Sequence, residues 1–374
     1  MTEHTSSWHT IRNLFLLAHL SLTSIGCSPS YVIKAGLAEL EILSSRRPII
    51  EVIQDTTTTK DTRSKLVLVS KAREFASETL QMNIGTSYTT FTKLDRDTLA
   101  LILSASPKDQ LEPKTWWFPL IGRFPYRGFF DKNEALVEKK ALENEGFDTY
   151  LRPTSAFSTL GWFSDPILST FLRQDEVGIV ETVLHELSHN HLFIKGHIDF
   201  NESFATFVGR YGAVEFYCAN PDFSPENILC LRAKARLRDH IAFEEFFFDF
   251  IKNLQALYQN SDLNYLEKLT LREELFNKHL GDFIREVQPT LEAMSYQNFV
   301  SIPINNATLL AQIRYHSRLD EFARLMEEKG GLTDVISYIK GNTLSKKDPF
   351  SVLVAHHSLS VNQRAHLSQS FYFY

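Results

Sequence analysis

The run Glu181-Thr-Val-Leu-His185-Glu186-Leu-Ser-His189 carries two histidines four residues apart within an apolar, helix-periodic stretch. On an α-helix, residues four apart stand on one face, about 40° apart around the axis, so both imidazoles can reach a single point. Glu186 falls at the edge of that face, next to His185. Thirteen residues after His189, Glu202 opens a second periodic run, Glu202-Ser-Phe-Ala205-Thr206-Phe-Val-Gly209. Ala205, Thr206 and Gly209 follow Glu202 by three, four and seven residues and share its face. Small residues on that face let the second helix approach the first closely. The spacing therefore calls for two antiparallel, tightly packed helices with two imidazoles and one carboxylate turned toward each other.

Histidines at this spacing, with a glutamate after the first, form the H-E-x-x-H pattern of a zinc site whose glutamate acts as general base. Such a site needs a third protein ligand and keeps one coordination position open for water. Glu202 meets that need, with Asp199, on the connecting loop, as the alternative. The longer pattern with a third histidine is excluded, because Leu192 and Lys195 occupy the positions where it requires glycine and histidine. His191 points away from the site or into solvent on this reading.

Only 15 glycines and 13 prolines occur in 374 residues, so breaks are few and elements long. Helical periodicity runs over 30–53, 63–82 and 131–147, and then over 174–194, 200–218, 225–259, 263–287 and 305–340. β-Branched and aromatic residues over 87–104, 114–130 and 148–159 predict strands gathered in the first half. The fold class is α+β and helix-rich, with a small sheet first and a helical second half. A hydrophobic content of 43% excludes disorder, and a net charge of −6 argues against a nucleic-acid partner.

The start reads as an export signal. Arg12 precedes the apolar run Leu14–Ile25, which is too short to span a membrane and fits a signal-peptide core. Gly26-Cys27 then resembles a lipoprotein cleavage box, with Cys27 as the lipidated residue. Residues 1–26 are thus a leader and 27–340 one unit. Its 27–215 part carries the strands and the metal site, its 216–340 part is helical, and 341–374 is a weakly patterned tail. The chain would reside in the periplasm or on the outer envelope, held to the membrane only by a lipid on Cys27. Cys218 and Cys230 allow either a bridge or two buried thiols. Phe157–Phe163 reads as an extended segment that could pair with a peptide substrate, with Gly161 allowing close approach and Trp162 walling a pocket.

HELSH followed by NESFA resembles the H-E-x-x-H…N-E-x-x-A signature of gluzincin metallopeptidases, the clan of thermolysin and the zinc aminopeptidases. The wider run is similar to a bacterial family of zinc aminopeptidases, many with lipoprotein-type starts. That likeness also takes in Arg46-Arg-Pro-Ile49, Tyr126-Arg-Gly-Phe-Phe130, Ser158-Thr-Leu-Gly-Trp-Phe163, Asp165-Pro166 and Asn305-Asn-Ala307. The resemblance implies a zincin-like core, zinc on His185, His189 and Glu202, Glu186 as the catalytic base, and a peptide substrate. It departs from well-studied zinc aminopeptidases in a shorter His189–Glu202 gap and in lacking a G-x-M-E-N segment. Two other readings share the motif: a zinc endopeptidase of the same clan, and a non-catalytic envelope lipoprotein with a metal-stabilised fold. The oxyanion donor is open among Tyr126, Tyr150 and a later tyrosine or histidine, while Tyr211 faces away from Glu202.

Overall fold

The computed structural model describes residues 42–353 apart from 96, 97, 99, 119–121, 155–163, 220–226 and 317. Its strands are short and lie in the first half: β1 (Arg47–Pro48), β2 (Thr90–Thr92), β3 (Ala100–Ser106), β4 (Trp116–Phe118), β5 (Gly122–Phe124), β6 (Arg127–Phe129), β7 (Asp148–Thr154) and β8 (Ile167–Leu168). They form a β1-β2-β8 sheet, an antiparallel β6-β3-β7 sheet and the β4-β5 hairpin. In the second sheet Leu103 opposes Leu151 and Leu101 opposes Phe129. This apolar face is covered by α3 (Lys132–Asn144), whose Ala135 and Leu142 pack against Leu103, Ala105 and Phe129. Helix α3 starts where the Asp131 carboxylate accepts the Glu134 N–H, and it stops at Gly146, whose φ of +91° only glycine adopts cheaply.

The remaining elements are helical: α1 (Ile49–Gln54), α2 (Lys60–Glu74), α4 (Glu176–His191), α5 (Ile198–Cys218), α6 (Ile228–Gln259), α7 (Tyr265–Asp282), α8 (Gln297–Ser301), α9 (Asn306–Ile313), α10 (Leu319–Lys329) and α11 (Leu332–Thr343). The chain is α+β and helix-rich, as its periodicity implies. One expected helix, 305–340, is three. It breaks at Arg318, which takes φ +57°, and again at Gly330 and Gly331, with φ +96° and +153°. The chain at 30–53 is likewise interrupted, since Arg47 and Pro48 join a sheet before α1 begins.

Helices α4 and α5 are the centre of the main core. Val177, Ile179, Val180, Val183, Leu184 and Leu187 are buried on α4, on more than one face, which is the mark of a helix enclosed on several sides. α2 covers one side with Leu66, Val69 and Ala72, and α10 and α11 cover another with Phe322, Leu325, Val335 and Ile336. Val352 and Leu353 join this core, so part of the weakly patterned C-terminal stretch is packed. A second, aromatic core joins α6 to α7, α8 and α9, with Phe243 stacked on Tyr296 at 4.0 Å. Cys218, at the end of α5, is bonded to Cys230 on α6. No helix among the described residues is long and apolar enough to cross a membrane.

The two halves meet along β7 and α9. Arg272 donates to Asp148 at 2.7 and 3.2 Å, the Asn306 N–H donates to the same carboxylate at 3.0 Å, and Asn305 Nδ2 donates to the Thr149 carbonyl at 3.0 Å. The Asn306 side chain also donates to the Pro107 and Gln110 carbonyls. A buried charge pair with all its partners in place resists separation, because removing either member strands the other in a poorly solvated interior.

Candidate metal centre

Helix α4 begins where the Asp175 carboxylate accepts the Gly178 N–H at 2.8 Å, and its periodic apolar residues seat it in the core. That seating aims His185 and His189 at α5, with their rings edge to face and 5.0 Å apart. The return to α5 is made by the loop 192–197, and Asn201 ties it off. Its side-chain oxygen accepts the Ile194 N–H and its amide donates to the Ile194 carbonyl, both at 2.9 Å. Each such bond is worth about 1 kcal/mol, and together they set the point at which α5 starts.

Close helix approach then brings Glu202 to the histidines. A Cβ on Gly209 would lie 2.6 Å from the Glu181 carbonyl and 3.3 Å from His185 Cβ, and one on Gly212 would lie 2.7 Å from Leu184 Cδ1. A side chain at Gly209 would meet backbone and push the helices apart, whereas one at Gly212 would first displace the Leu184 side chain. Glu202 Oε2 lies 3.3 Å from His185 Nε2 and 3.9 Å from His189 Nε2, and the three donor atoms fall within 4.8 Å of one another. A tetrahedral ion with bonds of about 2.0–2.2 Å keeps its donors roughly 3.3–3.6 Å apart, so two nitrogens and one oxygen suit zinc in chemistry, the His185–Glu202 pair already has that spacing, and the 3.9 Å His189–Glu202 pair would close by a few tenths of an ångström. No other group of three such side chains occurs among the described residues.

The electrostatics sort these groups into roles. Burial disfavours the Glu202 carboxylate, but the His185 hydrogen bond and the His189, His185 and Arg314 charges outweigh it and hold its pKa at about 2. His189 is pushed down to about 4, chiefly by burial, and so stays a neutral donor. Glu186 goes the other way. Burial, with help from Glu202 and Asp165 and against His185, lifts it to about 7. No protein group among the described residues hydrogen-bonds Glu186.

Two tyrosines adjoin this group. Tyr315, in the turn after α9, has its ring 6.1 Å from that of His185. Its hydroxyl is held protonated first by the Glu202 charge and then by burial. Tyr126, between β5 and β6, is likewise raised, by burial and then by Glu202. Tyr150 is not at the centre; it lines a small cavity with Phe299, Ile304 and Leu309. Tyr211 packs against Phe207 at 4.9 Å, away from Glu202. His191 does turn from the site but not into solvent: it is buried, and its Nδ1 accepts the Asn83 N–H at 2.8 Å. Asp199 takes no part in the donor group. Cys27, Gly161 and Trp162 lie outside the described residues. Sequence patterning left Tyr315 unnamed among the later tyrosines and did not single out Arg314, because both sit in a stretch read as uninterrupted helix.

No curated protein and no solved structure matches the chain. A family model described as "Putative aminopeptidase" matches residues 30–348, which is most of the chain, and supports peptidase activity. The chain belongs to that family.

Proposed function

We propose that the chain is an exported zinc-dependent peptidase with a zincin-like core, acting on peptides from the N-terminus. The observation that carries this reading is Glu186, without a hydrogen-bond partner among the described residues, beside three converging donors, His185, His189 and Glu202. A structural metal has no use for a neighbouring base with a near-neutral pKa, whereas a hydrolase does. When bound by the three donors, zinc acidifies a water and polarises the scissile carbonyl. Glu186 takes the proton from the attacking water and returns it to the departing amine. Tyr315, whose hydroxyl stays protonated, donates to the oxygen on which charge develops, and Tyr126 is the second tyrosine within reach of that region. Arg236 holds α4 in place behind the site through Glu181 at 2.9 Å and Asp175 at 3.2 Å. Export rests on the leader 1–26, with Cys27 as lipid anchor, and the Cys218–Cys230 bond is the kind that persists outside a reducing cytosol.

The test is metal analysis of purified protein together with cleavage of a peptide library. Wild type should carry one zinc per chain and release N-terminal residues, and Glu186→Gln should keep the metal and lose turnover. Cleavage of N-acetylated peptides would convert the reading to an endopeptidase. Failure to bind one zinc per chain would overturn it.

A further inference from the structure

Strand β7 and helix α9 run side by side toward the metal centre. Residues alternate along a strand, so Asp148, Tyr150 and Arg152 share the face turned to α9. Asp148 meets Asn306 at the start of α9, and Tyr150 lines its cavity with Thr308, Leu309 and Gln312 further along. Continuing the same progression brings Arg152 level with the end of α9, where Arg314 and Tyr315 follow.

Arg314 is only 4% exposed, yet among the described residues it makes no hydrogen bond or ion pair; its Nε is buried without a partner. Its guanidinium carbon lies 5.1 Å from the centre of the Tyr126 ring. Arg152 is half-buried and likewise has no acidic partner among the described residues. Both arginines act electrostatically on Tyr126 and Tyr315, and Arg314 acts on Glu202 as well. Glu202 feels the Arg314 charge but forms no hydrogen bond or ion pair with it; its Oε2 lies instead 3.3 Å from His185 Nε2 and 3.9 Å from His189 Nε2. A buried guanidinium without hydrogen-bonded partners is costly, and its planar fork is shaped to grip a carboxylate in two bonds.

We infer that Arg314 and Arg152 form a carboxylate-binding subsite beside the metal centre, which selects peptides carrying a carboxylate close to the scissile bond. The inference rests on the peptidase reading above. One residue of extended peptide spans about 3.3–3.6 Å, so the group is either the free C-terminus of a di- or tripeptide or an acidic side chain near the cleaved bond. In both cases Arg314, the more deeply buried, supplies the fork and Arg152 closes over the ligand from the strand.

The experiment is calorimetric binding to full-length, zinc-loaded Glu186→Gln, which does not consume the ligand. The probes are Leu-Gly-Gly, its C-terminal amide, and the amide of Leu-Glu-Gly. We expect Leu-Gly-Gly to bind at least about tenfold more tightly than its amide, with recovery by the Leu-Glu-Gly amide marking an acidic side chain as an accepted source. The preference should shrink to within twofold in Arg152→Gln and in Arg314→Gln. Arg314→Lys, which keeps the charge and loses the fork, should retain only part of it, and circular dichroism would verify folding of each variant. Equal binding of acid and both amides overturns the subsite, as does a preference that survives both glutamine variants. Hydrolysis by wild type separates the two readings: no cleavage of any probe defeats the peptidase assignment, whereas equal cleavage of acid and amide defeats only the subsite.

Discussion

The interface between β7 and α9 treats charge in opposite ways at its two ends. At the Asp148 end a deeply buried carboxylate receives Arg272 and the Asn306 N–H, and Asn306 in turn satisfies two loop carbonyls. At the Arg314 end an equally buried guanidinium lies over an aromatic ring and forms no hydrogen bond or ion pair among the described residues. The first arrangement fastens two halves of the fold. The second forms no such clasp among the described residues. Burial of charge goes with a completed hydrogen-bond network at one end and without one at the other.

The largest effect expected at the metal end is chemical. Glu186→Gln should lower kcat by about 10²–10⁴-fold, the usual worth of a general base, with zinc content and melting temperature unchanged. A loss of metal in this variant would mean that Glu186 is structural. At the fastened end, Arg272→Met should cost about 3–5 kcal/mol of stability by stranding Asp148, while Arg314→Met, which removes a buried guanidinium without hydrogen-bonded partners among the described residues, should leave stability unchanged or raise it. Urea unfolding of the two variants side by side checks this; equal losses would erase the contrast between the ends. Gly209→Ala should cost about 1–3 kcal/mol and weaken zinc binding, because the new methyl meets the Glu181 carbonyl and His185. Zinc titration against wild type would measure it.

The smallest effect concerns pH and the aromatic core. His240 is buried there, with Nδ1 2.6 Å from the Tyr296 hydroxyl. Burial first, then the charges of Arg210, His316 and Arg236, push its pKa well below the ordinary histidine value near 6.5. The unfolded chain therefore binds the extra proton first as pH falls. Stability from this residue is complete above about pH 6.5 and declines progressively below it. The urea midpoint should drop between pH 7.5 and pH 5, and His240→Asn should flatten that drop. An unchanged slope in the variant would assign the effect to other groups, of which buried His316 beside Glu244 is the first to examine.

Much of the fold was readable because its signals are local. The starts of α3 and α4 lie at Asp131 and Asp175, each accepting a backbone N–H three residues on, and the end of α3 lies at Gly146. The stretch 305–340 misled because apolar periodicity continues through Arg318 and Gly330–Gly331, while the backbone turns at both. Apolar spacing alone does not distinguish a helix that continues from three that pack separately, α9 on β3 and β7 and the next two on α5.

For the site, the sequence alone determined what lies within one or two helical turns. His185, Glu186 and His189 follow from a four-residue spacing on one helix, and the small face around Gly209 told that a second helix must come close with Glu202 on it. Only the tertiary structure decided the rest. Asn201 proved to be the clasp of the α4–α5 turn, and Tyr315 was brought beside His185 from a turn far along the chain, with Arg314 over the Tyr126 ring. The reason is physical: helical spacing constrains neighbours along a chain through fixed backbone geometry, whereas contacts between distant segments depend on how whole elements pack, which no short pattern encodes.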